Sequence, residues 1–247
     1  MAFGDLKGTF TGNATSISTS APLNTLASGS AAVVVGDLVY AIFGEQTAPT
    51  TTTVSDNLGN TYTAVQAATD AGTSTGHAYW SLVTVAGTIS AITAVANGGT
   101  SNFAGIAGLY QGPFAASPLD ANPTQITSDV TSPFTCPATG TMTQIAGLQS
   151  LVVAWGVGTG STSWAATSPN LIDGNIATAA VLKVALGHQV VSVNTTVSPE
   201  FTAGANPTDA VLGTSSFKMS NYLGMWFAGT SFDSDNLIRP KHEIIGY

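Results

Sequence analysis

The chain has 247 residues, 44% of them hydrophobic, which supplies ample apolar material for a core and argues against a wholly disordered chain. Charged residues make up only 7%, against about 25% in an ordinary globular protein, and Thr, Ser, Asn and Gly take their place. The net charge is −8 and no lysine or arginine lies between Lys7 and Lys183, so the body of the chain has nothing with which to neutralise phosphates. Nucleic-acid binding and attachment to anionic membranes are disfavoured there.

Period-two or wholly apolar segments of strand length recur from end to end, bounded by Gly, Pro, Asn and Asp, and no window sustains a helical period. The expectation is an all-β fold. Residues 1–12 lack alternation and read as an N-terminal arm. Strands are expected at 14–20, 37–43, 51–55, 61–67, 77–85, 89–96 and 102–110. Asp56-Asn57-Leu58-Gly59-Asn60 supplies the Asx and Gly residues of a tight reversal, and Asn97-Gly98-Gly99 gives a second turn signal. Residues 111–125 carry Pro113, Pro118 and Pro123, which remove backbone donors, so this stretch reads as a long crossover. Further strands are expected at 125–131, 150–156, 179–186, 190–197, 211–218 and 224–232.

The crossover also marks a midpoint with a faint likeness on either side. Residues 36–41 resemble 149–154, and 78–83 resemble 179–184. Two successive sets of strands joined by a long connection fit two facing antiparallel sheets, a β-sandwich of jelly-roll type over residues 13–232. Residues 233–247 form a distinct C-terminal tail, gathering Asp233, Asp235, Arg239, Lys241 and Glu243 before an apolar end. Arg239, Lys241, Ile244, Ile245 and Tyr247 are the residues expected to dock onto neighbouring subunits. The first seven residues lack a basic stretch leading into an apolar one, so no secretory signal is expected. The longest apolar run, 31–35, is far too short to cross a bilayer.

Little in the sequence points to catalysis. Cys136 is the sole cysteine and reads as a buried small apolar residue. His77, His188 and His242 are dispersed, which does not indicate a metal site, and His77 and His188 each sit beside glycine as surface or turn histidines would. No Gly-x-Ser-x-Gly elbow and no facing carboxylate pair is apparent. The oxygen-rich stretches 56–60, 173–175 and 233–236 do not follow the twelve-residue calcium loop and read as turns. Neither a cofactor nor a metal nor enzymatic activity is expected. Among the aromatics, Tyr79, Trp80 and Trp155 fall in apolar strands and read as core. Trp164, between Ser163 and Ala165 in an expected loop, is the side chain placed to face solvent as a platform for a glycan.

The segment Val54-Ser55-Asp56-Asn57-Leu58-Gly59-Asn60-Thr61-Tyr62-Thr63, preceded by Gly36-Asp37-Leu38-Val39-Tyr40 and followed by Tyr79-Trp80 and Pro118-Leu119-Asp120, resembles Gly/Ser/Thr-rich jelly-roll-like modules of bacteriophage virion proteins and bacterial surface proteins. The resemblance covers about residues 30–160. It implies a structural or adhesive module, and together with the scarcity of charge the expectation is a head decoration, fibre or tail-appendage subunit, homo-oligomeric, held among other virion proteins in a particle assembled in the host cytoplasm. The alternative it implies is an adhesion module binding a cell-surface glycan. It carries over no catalytic residue, and the charged tail has no counterpart in it.

Overall fold

A computed structural model describes residues 1–14, 23–46, 50–70, 74–97, 102–121, 126–128, 132–160, 164–178, 182–192 and 194–221. All regular structure among them is β. The first half contributes β1 (Leu6–Ala14), β2 (Leu23–Leu26), β3 (Ala31–Val33), β4 (Leu38–Glu45), β5 (Thr50–Asp56), β6 (Thr63–Asp70), β7 (Ser74–Leu82), β8 (Gly87–Ile89), β9 (Ile92–Asn97) and β10 (Phe103–Tyr110). The second contributes β11 (Phe114–Ala121), β12 (Ile126–Ser128), β13 (Phe134–Thr135), β14 (Ser150–Thr159), β15 (Trp164–Ala166), β16 (Leu171–Thr178), β17 (Leu182–Val191), β18 (Glu200–Ala203) and β19 (Asp209–Met219).

The two halves carry the same strand order. One five-stranded antiparallel sheet runs β1-β10-β4-β7-β6, and its counterpart runs β11-β19-β14-β17-β16. A three-stranded sheet β2-β9-β5 accompanies the first and β13-β18-β15 the second, while the β3-β8 ribbon and β12 are additions to one half each. The likeness of 36–41 to 149–154 marks the entry to β4 and to β14. The likeness of 78–83 to 179–184 overlaps β7 and β17 but is out of register. Leu38 pairs with Leu82 and Leu151 with Val190, so with Leu38 and Leu151 in corresponding places it is Leu82 and Val190 that correspond. Within the expected 13–232 span, the described residues thus form two sets of facing sheets with one strand order.

The halves stack back to back. Alternate residues of β4 explain how: Leu38, Tyr40 and Ile42 face the large sheet of the second half, together with Leu151, Val153 and Trp155, whereas Val39, Ala41 and Phe43 face the β2-β9-β5 sheet. In the second half Ala154, Ala185 and Leu212 face the β13-β18-β15 sheet. The result is four layers, with both central sheets covered on both sides. That is why β4, β10 and β14 are buried at every position and read as unbroken apolar runs rather than alternating ones. Each large apolar side chain sealed there contributes about 1.5–3 kcal/mol. Contacts between the halves are reciprocal: β10 packs on β16 and β17, and its counterpart β19 packs on β6 and β7. This is the pattern of an isologous dimer, here within one chain.

Trp155 joins the halves. It is fully buried, and its indole N–H donates to Gln66 Oε1 at 2.9 Å, while Gln66 Nε2 donates to the Thr214 carbonyl at 3.0 Å. The ring fits because its neighbours lack side chains. A Cβ at Gly76 would lie 2.5 Å from it, and one at Gly213 2.3 Å. A second tie holds the link between the halves. The buried Asp37 carboxylate accepts from Lys7 Nζ at 2.5 Å, Val34 N at 3.0 Å and Gly112 N at 2.9 Å, binding β1, the entry to β4 and the 111–113 connection together.

Several expected boundaries shift, for physical reasons. Residues 6–12, expected in the arm, belong to β1, an edge strand whose register slips between Leu6 and Gly8 and so hides its alternation. Residues 114–121, expected within a crossover, are β11. Pro118 is tolerated there because β11 pairs only with β19 and its other edge is open within its sheet. No strand covers 194–197. Most of the expected strand at 14–20, all of 224–232 and the 233–247 tail lie outside the described residues.

Gly213→Ala tests the seating of Trp155. The added methyl group is expected to destabilise the protein by about 1–3 kcal/mol in urea unfolding followed by tryptophan fluorescence.

Candidate functional site

Trp164 is not a solvent-facing platform. It is 2% exposed in β15, with its ring centroid 5.2 Å from that of Phe134 and 5.9 Å from that of Phe201. Its indole lies over Gly156 and Gly158 of β14, where Cβ atoms would approach it to 1.9 and 3.0 Å. The expected loop is a short strand pairing with β18, and the space above the two glycines draws the ring inward. The Gly156-Val157-Gly158 spacing in a strand was the sequence signal for this. Cys136 lies in the same cluster, 1% exposed, and burial pushes its thiol well above the usual range. Arg239, Lys241, Ile244, Ile245 and Tyr247 lie outside the described residues.

The Asp56–Asn60 motif is a turn whose oxygens are engaged from within. Asp56 Oδ1 accepts from Leu58 N at 2.9 Å and Asn60 N at 3.1 Å, and Oδ2 from Asn60 Nδ2 at 3.0 Å and the Tyr62 hydroxyl at 3.1 Å. Asn60 Oδ1 in turn accepts from Thr84 N and Val85 N, and Asn57 clamps Thr88 and Ser90. The motif closes this end of the first sandwich onto the segment between β7 and β9. Burial, reinforced by Asp56, pushes the Tyr62 phenol up.

Both described histidines are strand residues beside buried carboxylates, not surface or turn histidines. His77 Nε2 lies 3.8 Å from Oε2 of the fully buried Glu45. His188 Nδ1 lies 2.5 Å from Asp173 Oδ1, and the Tyr110 hydroxyl donates to Asp173 Oδ2 at 2.6 Å. Asp173 and Asn175, expected in a turn, are in β16. Asn175 Nδ2 donates to the Trp164 carbonyl. The Tyr110–Asp173–His188 relay crosses from one half to the other and fixes the imidazole by its Nδ1. His188 also lines an open cleft of about 510 Å³ with Leu6, Leu171 and Ile172. Sequence reasoning could not assemble this relay, because its members come from three strands in two halves.

A second cavity, of about 290 Å³, lies at the far end of the second sandwich. Its floor is the 167–170 turn, closed by Asn170 N donating to the Thr167 carbonyl and attached to β18 by Thr167 N on the Glu200 carbonyl. Gln189 and Val191 of β17 and residues 196–200 complete the wall. The segment opposite is held firmly: Thr139 N donates to the Val197 carbonyl, Val197 N to Thr139 Oγ1, and Cys136 N to the Pro199 carbonyl. This is the place in the second half that the Asp56–Asn60 turn fills in the first. The polar groups that converge on it are carboxamides, hydroxyls and the Glu200 carboxylate, with no lysine or arginine among them. They suit hydrogen bonding to a neutral ligand rather than chemistry on it.

No family model, curated protein or solved structure matches the chain.

Alkaline titration reads out the buried phenols. Burial first, and then Asp173, raises Tyr110 well above its ordinary value of 10.0, and burial raises Tyr40. The folded protein keeps these protons where the unfolded chain loses them, so stability is full below pH 10 and falls as the pH rises above it. Each phenol adds a slope of about 1.4 kcal/mol per pH unit. Urea midpoints measured from pH 8 to 11 should fall above 10. Tyr110→Phe should flatten that fall and lower stability at pH 8 by about 1.5–3 kcal/mol, the worth of a hydrogen bond to a charged group.

Proposed function

We propose that the chain is a structural subunit of a bacteriophage particle, a head decoration, fibre or tail-appendage protein built from two sandwiches of jelly-roll type. The observation that carries this reading is the nesting of strands within each half. The first strand pairs with the last, β1 with β10 and β11 with β19; the next pairs one step inward, β2 with β9 and β13 with β18; then β4 pairs with β7 and β14 with β17. A long hairpin wrapped on itself gives that nesting, which supports the jelly-roll reading. In each half one strand, β6 or β16, stays on its hairpin partner's sheet, β6 beside β7 and β16 beside β17.

Composition supports the same reading. A surface with 7% charged residues meets neighbours through hydroxyls and amides, so its contacts rest on shared hydrogen bonds and apolar area instead of ion pairs. The terminal residues 233–247, with Arg239, Lys241, Ile244, Ile245 and Tyr247, are the segment we assign to docking on other virion proteins, and the sandwiches associate with copies of themselves.

Two measurements test this. Assembled particles or oligomers should keep the protein through about 1 M NaCl, where ionic screening acts within about 3 Å, as followed by sedimentation. Release on a modest rise in salt counts against neutral interfaces. Deleting residues 233–247 should leave the unfolding midpoint unchanged and abolish incorporation into particles; normal incorporation of the shortened chain rejects the docking role.

A further inference from the structure

We propose that the cavity between the 167–170 turn and residues 196–200 binds a neutral, hydroxyl-rich ligand the size of one sugar ring, with Asn170 at its base. This inference is independent of the particle reading. It starts from Asn170, which is 4% exposed and whose Oδ1 and Nδ2 both lack a hydrogen-bond partner; Thr167 Oγ1 beside it is likewise buried and unpartnered. Buried polar groups are almost always paired, so a carboxamide with both ends unpaired marks a place where a partner is supplied from outside.

The first half provides the comparison. Asn60 stands in the corresponding connection, is equally buried at 4%, and uses its carboxamide fully on Asp56, Thr84 and Val85. There the connection folds over and plugs the end of the sandwich. In the second half a shorter turn leaves the cavity open and its asparagine unpaired.

The lining selects the ligand. A carboxamide offers one donor and one acceptor side by side, which matches a pair of neighbouring hydroxyls that each donate and accept. Asn170 and Gln189 provide two such groups, and Thr196, Ser198 and Glu200 add hydroxyls and a carboxylate around them. With Glu200 present and no cationic side chain lining the wall, anionic ligands are disfavoured. Pro169, Val191, Val197 and Pro199 offer apolar faces for the C–H side of a ring. A volume of about 290 Å³ is at the small end of ligand pockets and suits a single ring. The Asn170 carboxamide lies against Gly187, where a Cβ would come within 3.2 Å of Nδ2, and its two polar atoms are closed off from solvent, so binding requires the side chain to turn toward the cavity.

The test uses the full chain, isotopically labelled, titrated with D-glucose, D-galactose, D-mannose and N-acetyl-D-glucosamine, with N-acetylneuraminic acid as the anionic comparison. At least one neutral sugar is expected to bind saturably and to shift the Asn170 side-chain amide pair, with the anionic sugar at least tenfold weaker. Asn170→Ala and Gln189→Ala should each weaken binding at least tenfold, and Thr196→Val, at an exposed position, about threefold with an unchanged melting temperature. The same sugars presented as terminal units of immobilised oligosaccharides separate the sources: tighter binding there assigns a surface glycan, tighter binding in solution a free sugar. Absence of saturable binding by every neutral sugar at tens of millimolar overturns the proposal. So does binding that a folded Asn170→Ala leaves unchanged, or an anionic sugar bound as well as the neutral ones. Should Asn170→Ala fail to fold, Gln189→Ala and Thr196→Val decide by the same criteria.

Discussion

Two sheets buried on both faces set the terms for the rest of this molecule. A strand such as β4 or β14 has no solvent side, so every residue along it must be apolar, small or internally hydrogen-bonded. Several of the polar groups admitted to the seam pair across it: Gln66 with Trp155 and Thr214, Tyr40 with Ser215, Tyr110 with Asp173. Each is a neutral donor matched to an acceptor on the other half, except at Asp173, where two donors share one carboxylate. The composition follows in part from this geometry. Doubling the sandwich consumes apolar and small residues at the centre, and glycine is required wherever the Trp155 ring meets a strand.

The fold was legible in the sequence where burial is simple, and obscure where an edge or an exception intervenes. The runs that became β4, β10, β14 and β19 were readable because both faces are apolar or small. The Asp56–Asn60 reversal was readable because its side chains bond within the motif itself. Strand β11 was hidden by Pro118, which only an edge position permits, and β1 by a slip in register. The duplication left a faint trace at the entries to β4 and β14 and misled by several residues at β7 and β17, because apolar strands of like composition align in many registers. Trp164 was misjudged for a related reason. Its neighbours Ser163 and Ala165 are typical of loops, and the glycines that receive the ring lie in another strand. The cavity at Asn170 could not be foreseen at all, since an unpaired amide is a property of the folded surroundings and not of the residue.

Duplication frees one copy to change. The first half keeps its end shut with an Asx turn that hydrogen-bonds the adjoining segment at several points. The second replaces that turn with a shorter one, beside which a cavity stays open and the buried Asn170 carboxamide stays unpaired. The shared sheets hold both ends in equivalent positions, so the difference arises in the loops and costs the core nothing.

The layering has one more consequence. The two three-stranded sheets lie at opposite ends of the four-layer stack and are related by the internal pseudo-twofold. The outer faces of these two sheets therefore point to opposite sides of the molecule, and each half screens one face of its own central sheet from solvent.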